Sequence, residues 1–226
     1  MSVTALQLAV RALARLLLAL FGVRHTTCGV FPDGSALLVA NHLGWLDIVV
    51  LVARADCAFV AKREVSQWPV IGAVGRRLGV VFVERRPSRD LRRAVLELEA
   101  RLREGAKVVL FPEGTTTDGR TVLPFKSSLL EAAVRAEAPV IPITLRASAI
   151  SDPSPLCWIG DETLLANLPR VRACRGARIE VDIGDPLLAS TGRKVVSVQA
   201  RATIVDRLRR RPLAGRCTPP GVTTAS

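Results

Sequence analysis

The sequence predicts an α/β fold, a mixed, largely parallel sheet covered by helices, with an amphipathic membrane-interface helix at its N-terminus. Short apolar runs alternate along the chain with longer segments of helical period, which is typical of helix-covered sheets. No apolar stretch reaches the roughly 18 to 20 residues that a membrane-spanning helix needs. Hydrophobic residues make up 49% of the 226 residues, enough for a sizeable core.

The first element is a predicted helix over residues 3–23, which are rich in leucine and contain no proline. Its uninterrupted apolar run lies between Arg15 and Arg24. A secretory signal also has arginine before an apolar run, but mostly apolar residues precede Arg11, and no small-x-small cleavage site follows. We therefore predict a helix in the membrane interface, with its arginines reaching the headgroups. The alternative is an amphipathic helix packed on the protein's own core.

The remaining elements alternate between strand-like and helical patterns. Strand-like runs occupy residues 36–40, 57–61, 79–83, 107–111, 140–145 and 178–183. Helical patterns occupy residues 48–54, 88–104, 127–135 and 194–211. The predicted organisation is a membrane-associating helix over residues 1–26, a main domain over 27–211 and a disordered tail over 212–226.

The charge predicts an anionic partner. The net charge is +12, and 28 of the 32 basic residues are arginine. Nucleic acid, anionic lipid and acidic substrates all suit this balance, and a general arginine bias of the genome explains many of these residues equally well. Aromatic residues are only 4% and tyrosine is absent, which argues against base-stacking platforms for RNA or single-stranded DNA. The five scattered cysteines have no metal-ligand spacing, so we expect free thiols and no metal site.

The motif that carries the chemistry begins directly after the first apolar run, with Asn41, His42 and Asp47. A general base needs an imidazole with one nitrogen held by an acceptor and the other free to take a proton. Asp47, on a first helical turn, can reach back to the His42 ring. The substrate hydroxyl then takes the place of the serine in a Ser-His-Asp triad. Alternatively, Asp47 serves only as a helix cap.

Further along the chain, the strand at 107–111 ends in Phe-Pro-Glu-Gly-Thr, and ligands of open α/β sheets bind beyond such strand ends. The N–H groups of Gly114 and Thr115 are candidate donors to a phosphate or an oxyanion. Glu113 either binds a glycerol hydroxyl or braces basic side chains. Lys126, which follows this loop, is a second oxyanion donor candidate.

Two more strand ends contribute charge. Arg85 follows the run at residues 79–83 and is a candidate phosphate clamp, although it can also form a solvated pair with Glu84. Lys62 follows the strand at 57–61 within a further basic cluster. The Val-Ile-Pro-Ile run at residues 140–143 is mostly structural and can line an acyl groove.

In this order the motifs resemble those of the glycerolipid acyltransferases. The first family motif matches Asn41, His42 and Asp47, and the second, a strand ending in arginine, matches residues 82–85. The third is matched residue for residue by 111–115, and the fourth by 140–143. The chain departs from the pattern at Gly44, where serine is common, and at Thr116, where arginine is common.

The resemblance implies that His42 is the base, that Asp47 orients it, and that Arg85 and the loop at 113–115 bind the acceptor. It implies acyl transfer from acyl-CoA or acyl carrier protein to the hydroxyl of 1-acylglycerol-3-phosphate, with no metal and no cofactor beyond that donor. The departures leave a lyso-ornithine lipid as an alternative acceptor, and a non-enzymatic basic peripheral membrane protein is the alternative of another class. We expect an enzyme on an anionic membrane surface, at the cytoplasmic face of the inner membrane, and no nucleic-acid partner.

Overall fold

The computed structural model describes residues 3–84, 89–148, 156–158, 164–210 and 217–218. Its strands are β1 (Arg24–Cys28), β2 (Ala36–Ala40), β3 (Ala58–Lys62), β4 (Val81–Val83), β5 (Lys107–Leu110), β6 (Val140–Ser148), β7 (Arg178–Ile183) and β8 (Cys217–Thr218). They form one eight-stranded sheet in the order β4-β3-β5-β2-β6-β7-β1-β8. The strands from β4 to β6 are parallel, β7 is antiparallel to β6, and β1 is parallel to β7. The predicted mixed, largely parallel sheet is confirmed.

Helices cover both faces of this sheet. They are α1 (Val3–Leu20), α2 (Trp45–Arg54), α3 (Pro69–Arg77), α4 (Arg89–Arg103), α5 (Glu131–Ala136), α6 (Leu164–Ala173) and α7 (Arg193–Arg209), with short 3-10 helices at Arg63–Gln67, Ser128–Leu130 and Ala189–Thr191. Two hydrophobic cores result, one below α1, α2 and α6, the other below α4, α5 and α7. Every residue of β2 is fully buried between them, which explains why its sequence is apolar throughout instead of alternating.

The parallel strands β2, β3, β4 and β5 all end at the same side of the sheet, which we call the carboxyl edge. In the pairing register, Val39 of β2 lies beside Leu110 of β5, so the segments that follow these two strands emerge next to each other. Residues 41–47 and 111–117 are separated by more than sixty positions in the sequence. The sheet therefore brings the first and third motifs together.

Helix α1 packs antiparallel against α2 and leaves an apolar face exposed. Leu6, Ala14 and Leu18 are buried against the protein. On the outer side, four leucines are more than half exposed: Leu8 (60%), Leu13 (54%), Leu16 (54%) and Leu20 (58%). No helix in the described part of the chain is long and apolar enough to cross a membrane.

The arginines of α1 do not lie where the sequence analysis expected them. The Arg11 guanidinium lies 2.7 Å from the carboxylate of Asp56, and Arg15 Nε donates to the carbonyl of Ala53 at 3.2 Å. Both side chains therefore bind the protein itself, which corrects the expectation that they reach lipid headgroups. The exposed face of α1 is instead apolar.

Three elements were missed by the sequence patterns: β1, α3 and α6. Strand β1 reads Arg-His-Thr-Thr-Cys, and it is buried because β7 pairs with it, a long-range contact that its composition does not reveal. Helix α6 contains Pro169, which argues against a helix in sequence. Of the tail predicted over residues 212–226, only residues 217–218 are described, and they pair antiparallel with β1. Cys28 is disulfide-bonded, so the expectation of five free thiols is wrong. Among the described residues, Cys57, Cys157 and Cys174 are not in disulfide bonds.

Candidate active site

The turn after β2 brings His42 and Asp47 into contact. His42 Nδ1 lies 2.8 Å from Asp47 Oδ2, and the same oxygen accepts hydrogen bonds from the N–H groups of Leu43 at 2.6 Å and Gly44 at 3.0 Å. Asp47 is 1% exposed, whereas the side chain of His42 is 18% exposed. In the described part of the chain, His42 Nε2 has no hydrogen-bond partner. This arrangement holds one ring nitrogen and leaves the other available to a ligand at the carboxyl edge.

Asn41 anchors this turn to the sheet. Its side chain donates to the carbonyl of Leu145 at 3.0 Å and accepts from the N–H of Leu145 at 2.8 Å. The amide thus continues the β2–β6 ladder one step beyond the end of β2. Asn41 and Leu145 are both fully buried, so neither backbone group of Leu145 can hydrogen-bond to water instead. This anchoring role of Asn41 was not predicted from the sequence, although its position directly after a buried strand was a usable signal.

The His42 ring lies on the side chain of Phe111, the residue that follows β5. Their ring centroids are 3.9 Å apart, with an interplanar angle of 16°, and Phe111 stacks in turn with Phe59 of β3 at 6.5 Å. Asp47 fixes the ring at one nitrogen and Phe111 supports its face. Together they define the direction in which Nε2 points.

Glu113 connects the two motif segments through hydrogen bonds from its carboxylate to backbone N–H groups. Its two carboxylate oxygens accept the N–H of His42 at 2.9 Å and the N–H of Leu123 at 2.8 Å, and the residue is 4% exposed. Burial raises the pKa of Glu113, while the two backbone hydrogen bonds act in the opposite direction. In this structure Glu113 braces backbone rather than the basic side chains that the sequence suggested. Its contact with substrate stays a prediction.

The loop after Glu113 offers two donors. Gly114 has a φ of 71°, and its N–H donates to the carbonyl of Phe111 at 3.1 Å, so this N–H is already used within the turn. A Cβ at residue 114 would lie 2.7 Å from Lys126 Nζ, which shows how closely that ammonium approaches the loop. The exposed Thr115 and the Lys126 ammonium are therefore the remaining donor candidates from this loop.

The other predicted contacts lie farther away. Lys62 is exposed at the end of β3, two strands from β2, and thus about 10 Å across the sheet from it. Arg85 falls outside the described residues. Thr116, where arginine was expected by resemblance, donates its hydroxyl to the carbonyl of Trp158. The described residues hold no group of three potential metal ligands.

A further loop covers the His42 turn and was not foreseen from the sequence. Trp158 donates its N–H to the carbonyl of Leu43 at 2.8 Å, and Thr117 donates its N–H to the carbonyl of His42 at 2.8 Å. A Cβ at Gly44 would meet backbone and side-chain atoms of Trp158 at 3.3 Å. Glycine at residue 44 therefore leaves room for the close approach of Trp158, a long-range contact that no local sequence pattern reveals.

Sequence comparison agrees with this geometry. The family model described as Acyltransferase matches residues 23–146, which include both segments of the site. The lyso-ornithine lipid O-acyltransferase of Brucella abortus is 38% identical over 200 residues, covering 81% of this chain and 75% of that protein. The 1-acyl-sn-glycerol-3-phosphate acyltransferase of Neisseria gonorrhoeae is 42% identical over 118 residues, covering 51% of this chain and 45% of that protein.

Among solved structures, the chain is similar to the crystal structure of the 1-acyl-sn-glycerophosphate acyltransferase PlsC from Thermotoga maritima. The TM-score is 0.64 at 23% identity, over 91% of this chain and 81% of that chain. This likeness supports the fold. The α/β architecture and the His42 site together define an acyl-transferring enzyme. The chain belongs to the acyltransferase family.

Proposed function

We propose that the enzyme transfers a fatty acyl group from a thioester to the free hydroxyl of a lysolipid, with His42 as general base. The observation that carries this proposal is the 2.8 Å contact between His42 Nδ1 and Asp47 Oδ2, which leaves Nε2 free at the carboxyl edge. Asp47 fixes the tautomer with the proton on Nδ1 and stabilises the imidazolium that forms during the reaction.

In the proposed reaction, the acceptor hydroxyl donates its hydrogen bond to His42 Nε2. As its oxygen attacks the thioester carbonyl, the proton moves to Nε2 and a tetrahedral oxyanion forms. In this proposal the Lys126 ammonium and the Thr115 N–H stabilise that oxyanion, and the close approach of Lys126 to the loop at Gly114 supports the assignment of Lys126. When the carbon–sulfur bond breaks, the thiolate leaves with the proton from His42. The new ester and the free thiol balance the reaction.

For the acceptor, we place lyso-ornithine lipid first and 1-acylglycerol-3-phosphate second, the reverse of the order from sequence alone. The relative named for lyso-ornithine lipid matches 81% of this chain, while the relative named for 1-acylglycerol-3-phosphate matches 51%. In the structure, residue 116 is a threonine bound to the carbonyl of Trp158, so it supplies no positive charge for a phosphate. An acceptor without glycerol phosphate fits this loop. Acyl-CoA and acyl carrier protein are both proposed donors.

The acceptor is tested by measuring acyl transfer in mixed detergent micelles with each lysolipid and each donor. We expect the wild-type enzyme to acylate lyso-ornithine lipid faster than 1-acylglycerol-3-phosphate. His42→Ala should lower kcat by about 10² to 10⁴, the usual contribution of a general base. His25→Gln, at the other histidine of the chain, is the matched control and should keep its activity. Equal rates for wild type and His42→Ala would refute the role of His42.

We further propose that the enzyme is a peripheral protein of the cytoplasmic face of the inner membrane, with the outer face of α1 in the lipid. The four exposed leucines of α1 support this placement, because long-chain substrates reside in the bilayer. Leu13→Gln combined with Leu16→Gln should lower partition into vesicles by at least about 100-fold, since each buried leucine contributes roughly 1.5 to 3 kcal/mol. Val195→Gln with Val198→Gln, on the opposite face in α7, is the control. Equal losses in both pairs would refute this placement.

A further inference from the structure

A group of exposed arginines lies at one end of the apolar face of α1. It consists of Arg24, Arg172, Arg175 and Arg178, all of which are exposed. Arg24 and Arg178 are neighbours in the β1–β7 register. The backbone and stem of Arg175 lie within 3.6 Å of the position that a Cβ on Gly22 would take. Arg172 is in the last turn of α6, which leads into this segment.

These guanidinium groups lack acidic partners. In the described part of the chain, none of the four has a carboxylate within the 4.0 Å that defines an ion pair. Several other arginines do have carboxylate partners: Arg146 contacts Glu180, and Arg207 contacts Asp182 at 2.5 Å. The arginine group is thus a local concentration of uncompensated charge.

The position of the group relates the apolar face of α1 to the active site. Helix α1 ends at Leu20, four residues before Arg24. Arg178 pairs with Ser148 at the end of β6, and β6 runs parallel to β2, so the group lies on the side of the carboxyl edge that holds His42. Towards the other end of α1, the charge of Arg11 is compensated by Asp56 at 2.7 Å. Exposed positive charge without a carboxylate partner is therefore present at the active-site end of the helix.

We propose that this arginine group binds anionic lipid headgroups, selects anionic bilayers and turns the carboxyl edge towards them. The inference rests on the proposed membrane association of α1. The exposed leucines next to the group favour a bilayer as its occupant, because a bilayer offers apolar and anionic surface side by side. Guanidinium groups suit phosphate headgroups because they donate two parallel hydrogen bonds. An acidic carrier protein would need the arginines but not the leucines.

The test compares the full chain with Arg172→Gln/Arg175→Gln in binding to two kinds of vesicle, at about 0.1 M salt. One kind is phosphatidylcholine alone and the other is phosphatidylcholine mixed with phosphatidylglycerol. Each arginine near an anionic surface contributes about fivefold to binding, so the double variant should lose about 25-fold on the mixed vesicles. Its binding to phosphatidylcholine alone should not change.

The matched control is Lys194→Gln/Arg209→Gln, which removes the same charge from exposed positions of α7 on the other face of the sheet. This pair should change binding to the mixed vesicles by no more than about twofold, because distant charges are screened. Thermal unfolding of each variant checks the fold. If the double variant unfolds, single Arg172→Gln should still show the fivefold loss.

Three results would overturn the inference: equal losses in both pairs, no loss in either, or loss of binding to an acyl carrier protein with vesicle binding intact. Vesicle binding needs no catalysis, so its outcome is separate from that of the acyl-transfer assay. Arginine-dependent binding by a protein that acylates neither lysolipid would refute the proposed acceptors and leave this inference standing. Acylation in micelles without arginine-dependent vesicle binding would refute this inference and leave the proposed acyl transfer standing.

Discussion

The two histidines of the chain lie in opposite electrostatic surroundings. His42 follows β2, contacts the Asp47 carboxylate at 2.8 Å and keeps a side chain that is 18% exposed. His25 lies within β1, is 7% exposed, and its Nδ1 has no partner in the described part of the chain. Burial and the nearby Arg54 and Arg15 lower the pKa of His25 to about 4.

This difference shows what makes a histidine a candidate base. An acceptor on one nitrogen fixes the ring and stabilises its protonated form, and partial exposure allows a substrate to reach the other nitrogen. His25 has neither feature, since positive charge and burial keep it neutral at ordinary pH. Its surroundings suit a structural histidine.

Asp47→Asn tests the acidic partner of His42 and should have the largest effect. The oxygen that contacts Nδ1 also accepts the N–H groups of Leu43 and Gly44, so the amide oxygen of the variant can keep these three contacts, but a neutral amide no longer stabilises the imidazolium that forms during proton transfer. We expect kcat to fall by about 10²-fold or more, measured with the better lysolipid in micelles. Asp118→Asn, an exposed carboxylate in the neighbouring loop, is the control and should keep full activity. A loss of less than tenfold in Asp47→Asn would mean that the contact with His42 is only structural.

Asn41→Ala tests the anchoring of the turn that holds His42. The change leaves the N–H and the carbonyl of Leu145 without partners in a fully buried place. We expect the free energy of unfolding to fall by about 2 to 3 kcal/mol, measured by urea denaturation. A control at a satisfied but exposed polar side chain, Thr203→Ala on α7, should cost less than about 0.5 kcal/mol. Similar costs for the two variants would show that Asn41 does not anchor the turn.

Much of the site could be predicted from sequence because its parts follow strands that local patterns reveal. The apolar run of β2 identifies a buried strand, and His42 and Asp47 come directly after it. The run of β5 leads in the same way to Phe111 and Glu113. Parallel strands share a carboxyl edge, so the alternating strands and helices were sufficient to bring these segments together.

The parts of the site that could not be predicted depend on contacts between residues that are distant in the sequence. Both oxygens of Glu113 bind backbone N–H groups, one of them 71 positions earlier in the chain, so its bracing role has no local signal. The same is true of Arg11, whose partner Asp56 follows the next helix. Polar side chains near a site were therefore the hardest to assign, because either a ligand or the protein's own backbone can satisfy them.

His25→Gln tests the other half of the comparison and should have the smallest effect. The folded protein holds the pKa of His25 at about 4, while the unfolded chain has the ordinary value of about 6.5. As the pH falls below 6.5, the unfolded state binds the proton first, so the wild type loses stability between pH 6.5 and pH 4. His25→Gln lacks this titration and should lose about 1 to 3 kcal/mol less over that range, measured by urea denaturation at several pH values. All other titrating groups are shared, so the difference reports His25 alone. Parallel pH profiles of wild type and variant would mean that the pKa of His25 is the same in the folded and the unfolded state. Loss of acyl transfer in His25→Gln would remove the contrast with His42.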